Sequence, residues 1–307
     1  MRYRITKNEK TLAWLILIIL SLIWGSSFIL IKKGLAGLSP LQVGTLRISF
    51  AFLFTFPFAI KYLGKIPSGK WKFLFFTGLF SNFLPAVLFA VAQTKLESSL
   101  TGILNALSPL FTLLIAVLVF NLRFSKAQVT GLITGFIGTI GLSFVNSEGG
   151  LGNFNAYVWL IVLATLCYAV SLNFIKIYLS ELNSVMITSL ALLTAGPPAL
   201  VILFLTDFPA KLAGTPGVYE SIGYVAILGV MGTAVALLLY TKLIHMTNAI
   251  FASSVTYLVP VVAILWGVID NEKLYPLHFA GLALILTGIY FSNKTGNTVN
   301  GDKISKH

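Results

Sequence analysis

Apolar residues in this chain come in long, nearly unbroken blocks, not in the alternating or one-sided patterns of soluble strands and helices. Ten blocks can be marked, at about 12–31, 40–60, 71–92, 98–120, 127–145, 156–176, 184–206, 221–243, 248–269 and 276–293. Most are close to the roughly 20 residues that an α-helix needs to cross a hydrocarbon core about 30 Å thick. Turn and charge signals separate most of them: Gly37–Pro40, Gly64–Lys72, Lys95–Glu97, Arg123–Lys126, Glu148–Asn155, Asp207–Glu220 and Asp270–Pro276. The pattern predicts an all-α integral membrane protein of ten transmembrane helices.

Composition agrees. Of 307 residues, 57% are hydrophobic and 10% charged, with a mean hydropathy of +0.92, whereas a soluble domain carries about 25% charged residues. The net charge of +12 would suit nucleic acid if it lay along a hydrophilic face. The Lys and Arg residues instead sit in loops and tails, where they set topology, so no nucleic-acid partner is expected. With the N-terminus in the cytoplasm, fifteen basic residues fall inside and five outside (Lys32, Lys33, Lys95, Lys211 and Lys273). Both termini are therefore expected in the cytoplasm, which requires an even number of spans. The first block follows the basic stretch Met1–Lys10 without a convincing cleavage site and reads as a retained helix. Cys167 is the sole cysteine, so no internal disulfide is possible. The tail 1–11 is cytoplasmic, and 294–307 reads as a disordered cytoplasmic tail.

The chain divides into two related halves, 12–146 and 156–293. A shift of 144 places Trp24, Ser27 and Lys32 on Tyr168, Ser171 and Lys176. Gly131 and Gly138 match Gly281 and Gly288 at a shift of 150, and Pro109 matches Pro260 at 151. Five spans per half is an odd number, so the second half enters the membrane from the opposite side. The expected architecture is two inverted five-helix repeats, an arrangement found in alternating-access transporters.

Several spans carry small and polar residues at helical spacing: Gly78, Asn82 and Pro85; Gly102, Asn105, Ser108–Pro109 and Thr112; Gly229, Thr233, Ala236 and Tyr240; Ala249, Ser253, Thr256 and Pro260. Any one such face can be a packed helix seam. Four in matching positions suggest a partly polar cavity at mid-depth, with prolines opening the backbone ladder beside it. Arg47 is the only charge well inside a span, seven residues or about 10 Å from Pro40. No acidic residue lies clearly within any span. Arg47 therefore either attracts an anionic group on a substrate, or snorkels or bonds to neighbouring carbonyls. The missing carboxylate also argues against proton-coupled export of lipophilic cations. Trp24–Gly25–Ser26–Ser27 sets an aromatic plane and two hydroxyls mid-span, with Tyr168, Ser171 and Asn173 near the corresponding place in the other half. Gly131, Gly135 and Gly138, with Gly281 and Gly288, read as close-packing surfaces or a dimer contact. His245, His278 and His307 are scattered, and no metal-spaced or catalytic pattern is present, so neither an enzyme nor a cofactor or metal is expected.

These residues carry a family resemblance. Ile23-Trp24-Gly25-Ser26-Ser27 resembles the "iWGsn" signature of the EamA family, within the drug/metabolite transporter superfamily. Leu46-Arg47-Ile48 is similar to its Arg-Phe motif. Leu107-Ser108-Pro109-Leu110-Phe111 resembles its "l-x-P-l-f" segment, repeated as Leu258-Val259-Pro260-Val261-Val262, and the Gly-x6-Gly patterns also match. The resemblance covers about 12–292. It implies a ten-helix transporter of inverted repeats in which the first four helices of each half line a central cavity and the fifth and tenth lie to one side. Family members mostly export amino acids and other small metabolites, and some import. The second half departs from the pattern, with Tyr168-Ala169 where Trp-Gly would recur and no arginine matching Arg47.

The expected function is secondary transport, in the export direction, of a small carboxylate-bearing solute such as an amino acid across the cytoplasmic membrane. Expected substrate-binding residues are Arg47 for the charge, Trp24 and Tyr168 as aromatic walls, and Ser27, Asn82, Asn105, Asn173, Thr256 and Tyr257 as polar contacts. Pro85, Pro109 and Pro260 are expected hinges. The expected partners are the solute and membrane lipid, with the protein a monomer or homodimer. Alternatives are a drug- or nucleobase-type exporter, a membrane enzyme, or a channel-like protein.

Overall fold

In the computed structural model, the described residues are 7–120, 125–145, 149–247, 252 and 255–294. They form an all-helical membrane protein. Seven helical segments are long and apolar enough to cross a bilayer: Lys10–Gly34, Pro40–Lys65, Ser68–Ala92, Ser98–Val119, Val158–Tyr178, Ser184–Leu205 and Val218–Tyr240. Val255–Ile269 and Pro276–Ser292 are shorter apolar helices.

In chain order the helices are α1 (Lys7–Gly34), α2 (Pro40–Tyr62), α3 (Trp71–Gly78), α4 (Leu84–Ala92), α5 (Ser98–Asn105), α6 (Ser108–Phe120) and α7 (Lys126–Ser143). They continue with α8 (Val158–Tyr178), α9 (Ser184–Leu205), α10 (Phe208–Gly214), α11 (Val218–Gly229), α12 (Ala236–Met246), α13 (Val255–Ile269) and α14 (Pro276–Lys294). Local chemistry sets the starts. Ser39 and Gln42 cap each other at the head of α2, with Pro40 in the first turn, and Ser125 and Gln128 do the same for α7. Asn183 caps α9 through the Met186 amide. Ser39 and Asn183 are separated by the same 144 residues that relate Trp24 to Tyr168.

The structure breaks some of the expected spans. α3 passes into α4 through a π-turn, Leu79–Phe83, and α11 into α12 through another, Val230–Val235. The two begin 151 residues apart. The fourth block is split at Ala106–Leu107 into α5 and α6, and the 207–220 connection contains the short helix α10. α14 runs through Asn293 to Lys294, both placed by the sequence reading at or beyond the end of the last span; 295–307 lie outside the described residues. So do Ala249 and Ser253 of the ninth block.

Packing recurs between the halves. α2 packs along α9 and α7 along α14; α1 packs on α13 while α8 packs on α6; α4 leans on α8 while α11 and α12 lean on α1; α3 meets α9 while α11 meets α2. On α7, Gly131 and Gly138 let the backbone of α14 approach. A Cβ on Gly131 would run into the Gly288 carbonyl and Ser292 Oγ, and one on Gly138 would lie 2.9 Å from the Gly281 carbonyl. These glycines are thus used within the chain, as close-packing surfaces. The opposite face of α7, with Ile133, Ile137 and Ile140, is exposed, as are Leu15, Ile18, Ile19 and Leu22 on α1. Such apolar faces suit lipid.

Candidate functional site

The second π-turn organises the site. A π-turn closes its hydrogen bonds one residue further on than an α-helix, so the regular ladder is disturbed and backbone groups are freed. Here the Gly232 carbonyl accepts a hydrogen bond from Trp24 Nε1 at 3.1 Å, bridging α1 to the turn. Gly232 also sits close under Ser27, since a Cβ there would be 3.1 Å from Ser27 Oγ. The neighbouring Thr233 hydroxyl accepts from Arg47 Nε at 3.2 Å, joining α2 to the same turn. Gly229 makes this possible: a Cβ there would stand 2.6 Å from the Arg47 carbonyl, so only glycine lets α2 lie so close.

Aromatic rings surround this junction. Trp24 meets Tyr240 at 5.3 Å between ring centres, tilted by 52°. Tyr168, from α8, joins the same cluster of rings through Phe89. It stacks on Phe89 at 6.1 Å, and Phe89 in turn meets Phe28 at 5.9 Å. Arg47 is half-buried, and Nε makes its one side-chain hydrogen bond among the described residues. No described acidic residue forms an ion pair with it. The terminal fork of the guanidinium is left without a protein acceptor among the described residues. A planar fork of this kind matches a carboxylate, to which it can give two parallel hydrogen bonds.

The structure thus brings together Trp24, Ser27, Arg47 and Tyr168 of the expected set, and adds Gly232, Thr233 and Tyr240. Thr233 and Tyr240 stood on a predicted polar face, but nothing in the sequence marks the π-turn that aims them. Ser27 donates its hydroxyl to the Ile23 carbonyl within its own helix. Asn173 is buried and donates to the carbonyls of Thr112 (3.2 Å) and Ala169 (2.9 Å), which ties α8 to α6. Asn82 lies in the first π-turn, Asn105 ends α5, and Thr256 and Tyr257 lie on α13. Asn82, Asn105 and Thr256 make no side-chain hydrogen bond among the described residues. Pro85 and Pro109 stand in the first turns of α4 and α6, each directly after a helix irregularity, and Pro260 lies inside α13. Pro57 in α2 and the pair Pro197–Pro198 in α9 are further interior prolines. Among the described residues no three His, Cys, Asp or Glu side chains are grouped to hold a metal.

The model of the EamA-like transporter family matches residues 11–144 and again 155–294. The chain belongs to the EamA-like transporter family. This transporter is 29% identical over 281 residues to an "uncharacterized transporter" of Archaeoglobus fulgidus, covering 90% of this chain and 97% of that one. It is 27% identical over 282 residues to the "uncharacterized inner membrane transporter YedA" of Escherichia coli strain K12, covering 88% and 87%. It is 25% identical over 297 residues to a "probable amino-acid metabolite efflux pump" of the same strain, covering 94% and 95%. A solved crystal structure shares the fold, with a TM-score of 0.61 at 18% identity over 94% of this chain and 99% of the other.

Proposed function

We propose that this transporter carries a small carboxylate-bearing solute, such as an amino acid, out across the cytoplasmic membrane by alternating access. The observation that carries the reading is the terminal fork of Arg47, which finds no acceptor among the described residues. A charge inside a membrane span is costly unless it is paired, and among the described residues the protein supplies no anion. The solute's carboxylate supplies one. Trp24, Tyr168 and Tyr240 wall the site, and Thr233 steers the guanidinium by holding Nε. Asn82, Asn105, Thr256 and Tyr257 are polar contacts for the remainder of the solute, and Ser27 lines the wall beside Gly232.

In this reading the ten helical spans form two inverted five-helix repeats, with both termini in the cytoplasm. The recurring caps, π-turns and helix pairings support that symmetry. The halves rock about the weak points of their helices, the π-turns and Pro85, Pro109 and Pro260. With no carboxylate in the spans to shuttle a proton, transport proceeds as facilitated flow or exchange. The likeness to a relative named as a probable amino-acid metabolite efflux pump favours the same solute class and direction.

The test is growth of an overexpressing strain and a knockout on a panel of toxic amino-acid analogues. Resistance on overexpression, with the Arg47→Ala form conferring none, is the expected result. Sensitisation on overexpression would reverse the direction, and resistance confined to uncharged drugs or nucleobases would refute the carboxylate.

A further inference from the structure

Away from the central site, the structure gathers five charged side chains at the end of the bundle where α1 finishes, α5 begins and α13 turns into α14. Glu272 is at its middle, with a fully buried side chain. Its Oε1 accepts from the Ser98 amide (2.9 Å), the Ser98 hydroxyl (2.7 Å) and Lys32 Nζ (2.8 Å); its Oε2 accepts from the Ser99 amide (3.0 Å) and hydroxyl (2.6 Å). A loop of the second half thereby caps the first turn of a helix of the first half, whose end amides lack helical partners. Lys32 also pairs with Glu97 at 3.0 Å and Asp270 at 2.9 Å, and Lys33 pairs with Asp270.

The turn is shaped for this. Asn271 adopts φ 59°, a left-handed conformation unusual for a side-chain-bearing residue, and brings Glu272 back over Gly267. A Cβ on Gly267 would lie 2.7 Å from Glu272 Oε2 and 2.8 Å from Ser99 Cβ. Burial alone would raise the Glu272 pKa, but the bonds from Lys32, Ser98 and Ser99 outweigh it and hold the carboxyl at about 2.

The opposite end of the bundle lacks these charges in sequence. The shift of 144 carries Lys32 to Lys176, a cation again. The shift of 151 carries Glu97 to Asn248 and Glu272 back to Asn121, and it carries Asp270 back to Val119. An inverted repeat would build matching closures on the two faces; among the described residues the buried carboxylate network stands on one face, while the other carries the single exposed pair Lys70–Glu181 at 2.6 Å.

We propose that the Lys32–Lys33–Glu97–Asp270–Glu272 network is a one-sided latch on the outer mouth of the transport path, with Glu272 its positioning residue, so that the resting carrier is closed outside and loads from the cytoplasm. This rests on the alternating-access reading and the orientation given above. Opening the outer mouth separates the α13–α14 loop from α1 and α5, and so breaks several buried charge-assisted bonds, against the one exposed Lys70–Glu181 pair described at the inner mouth. The latch makes outward opening the step that a bound solute must drive.

The experiment is pulsed electron resonance distance measurement in nanodiscs, with Cys167→Ser as background. One spin-label pair replaces exposed Ala36 and Lys273 on the latch face; the other replaces exposed Lys65 and Lys242 on the opposite face. In Glu272→Gln, the long-distance population at the Ala36–Lys273 pair should rise at least about tenfold relative to the short one, on the scale of one lost charged hydrogen bond. The Lys65–Lys242 pair should shift the other way, toward the closed distance. A purely structural role for Glu272 would broaden both pairs alike, which overturns the proposal, as do unchanged distributions at both. Asp270→Asn removes the Lys33 arm and one of the carboxylates paired with Lys32, without touching the amides of α5. It should give a smaller shift of the same sign, and it decides the matter alone if Glu272→Gln fails to fold. No solute is added, so failure here leaves the Arg47 reading standing, and failure of carboxylate transport leaves this result standing.

Discussion

Replacing Arg47 by Met should have opposite effects on binding and on stability. Among the described residues the side chain makes one hydrogen bond, from Nε to Thr233, and its terminal fork finds no acceptor. A carboxylate that takes the fork gains two hydrogen bonds to a charged group, each contributing roughly 1.5–3 kcal/mol before the solute's own desolvation is subtracted. A net loss of about 2–4 kcal/mol on truncation follows, and at about 1.4 kcal/mol per tenfold this is roughly a 30- to 700-fold weaker affinity. Met has a similar length and no charge, so the empty protein no longer holds, in a low-dielectric site, a cation that has no anionic partner among the described residues. Its melting temperature should be equal to or above that of the native form. Differential scanning fluorimetry in detergent, with and without an amino-acid panel, reads both quantities at once. The native protein should be stabilised by its solute, and Arg47→Met should melt no lower and show no solute shift. Arg47→Lys, which keeps the charge but not the fork, should fall between. Retained solute stabilisation in the Met form, or a large drop in its melting temperature, would show that the guanidinium is tied into the structure and would refute the argument.

Thr233→Val frees Arg47 Nε and should weaken solute affinity by about 2- to 12-fold, one ordinary hydrogen bond, in the same titration. Trp24→Phe leaves the Gly232 carbonyl without its donor and should destabilise the fold by about 1–3 kcal/mol, measured by unfolding in mixed micelles. Gly131→Leu drives a side chain into the α14 backbone and should cost at least about 1–3 kcal/mol in the same assay, whereas Gly141→Ala, which meets nothing within 4 Å, should be neutral or slightly stabilising. The Glu272 carboxyl has a folded pKa of about 2, below its ordinary 4.5. Its contribution to stability is therefore present above about pH 4.5 and lost as pH falls toward 2. Acid titration of the melting temperature should show this loss, and Glu272→Gln should flatten it.

Much of this architecture was legible in the chain because a membrane leaves few choices. Apolar blocks of spanning length become helices, and the glycine pattern of the fifth and tenth blocks became the α7–α14 seam because only glycine lets two helix backbones meet there. Arg47 could be singled out by depth and charge alone, without knowing what faced it. What could not be read was local geometry. Val230–Val235 has no residue that announces a π-turn, yet that turn aims Thr233 at Arg47 and the Gly232 carbonyl at Trp24. Asn173 looked like a site residue by its position in the repeat, but its amide satisfies two backbone carbonyls between α8 and α6. Glu272 read as an ordinary loop acid, because the residues it caps are 173 and 174 positions away in sequence.

Counterflow in proteoliposomes offers the sharpest test of the central claim, that Arg47 recognises the carboxylate of the solute. Vesicles are loaded with an unlabelled amino acid that stabilises the protein, and uptake of the labelled form is followed against external competitors. The free acid should compete, and its primary carboxamide, equal in shape but without the negative charge, should fail to do so by the factor expected for Arg47→Met. Equal competition by acid and carboxamide would contradict the account.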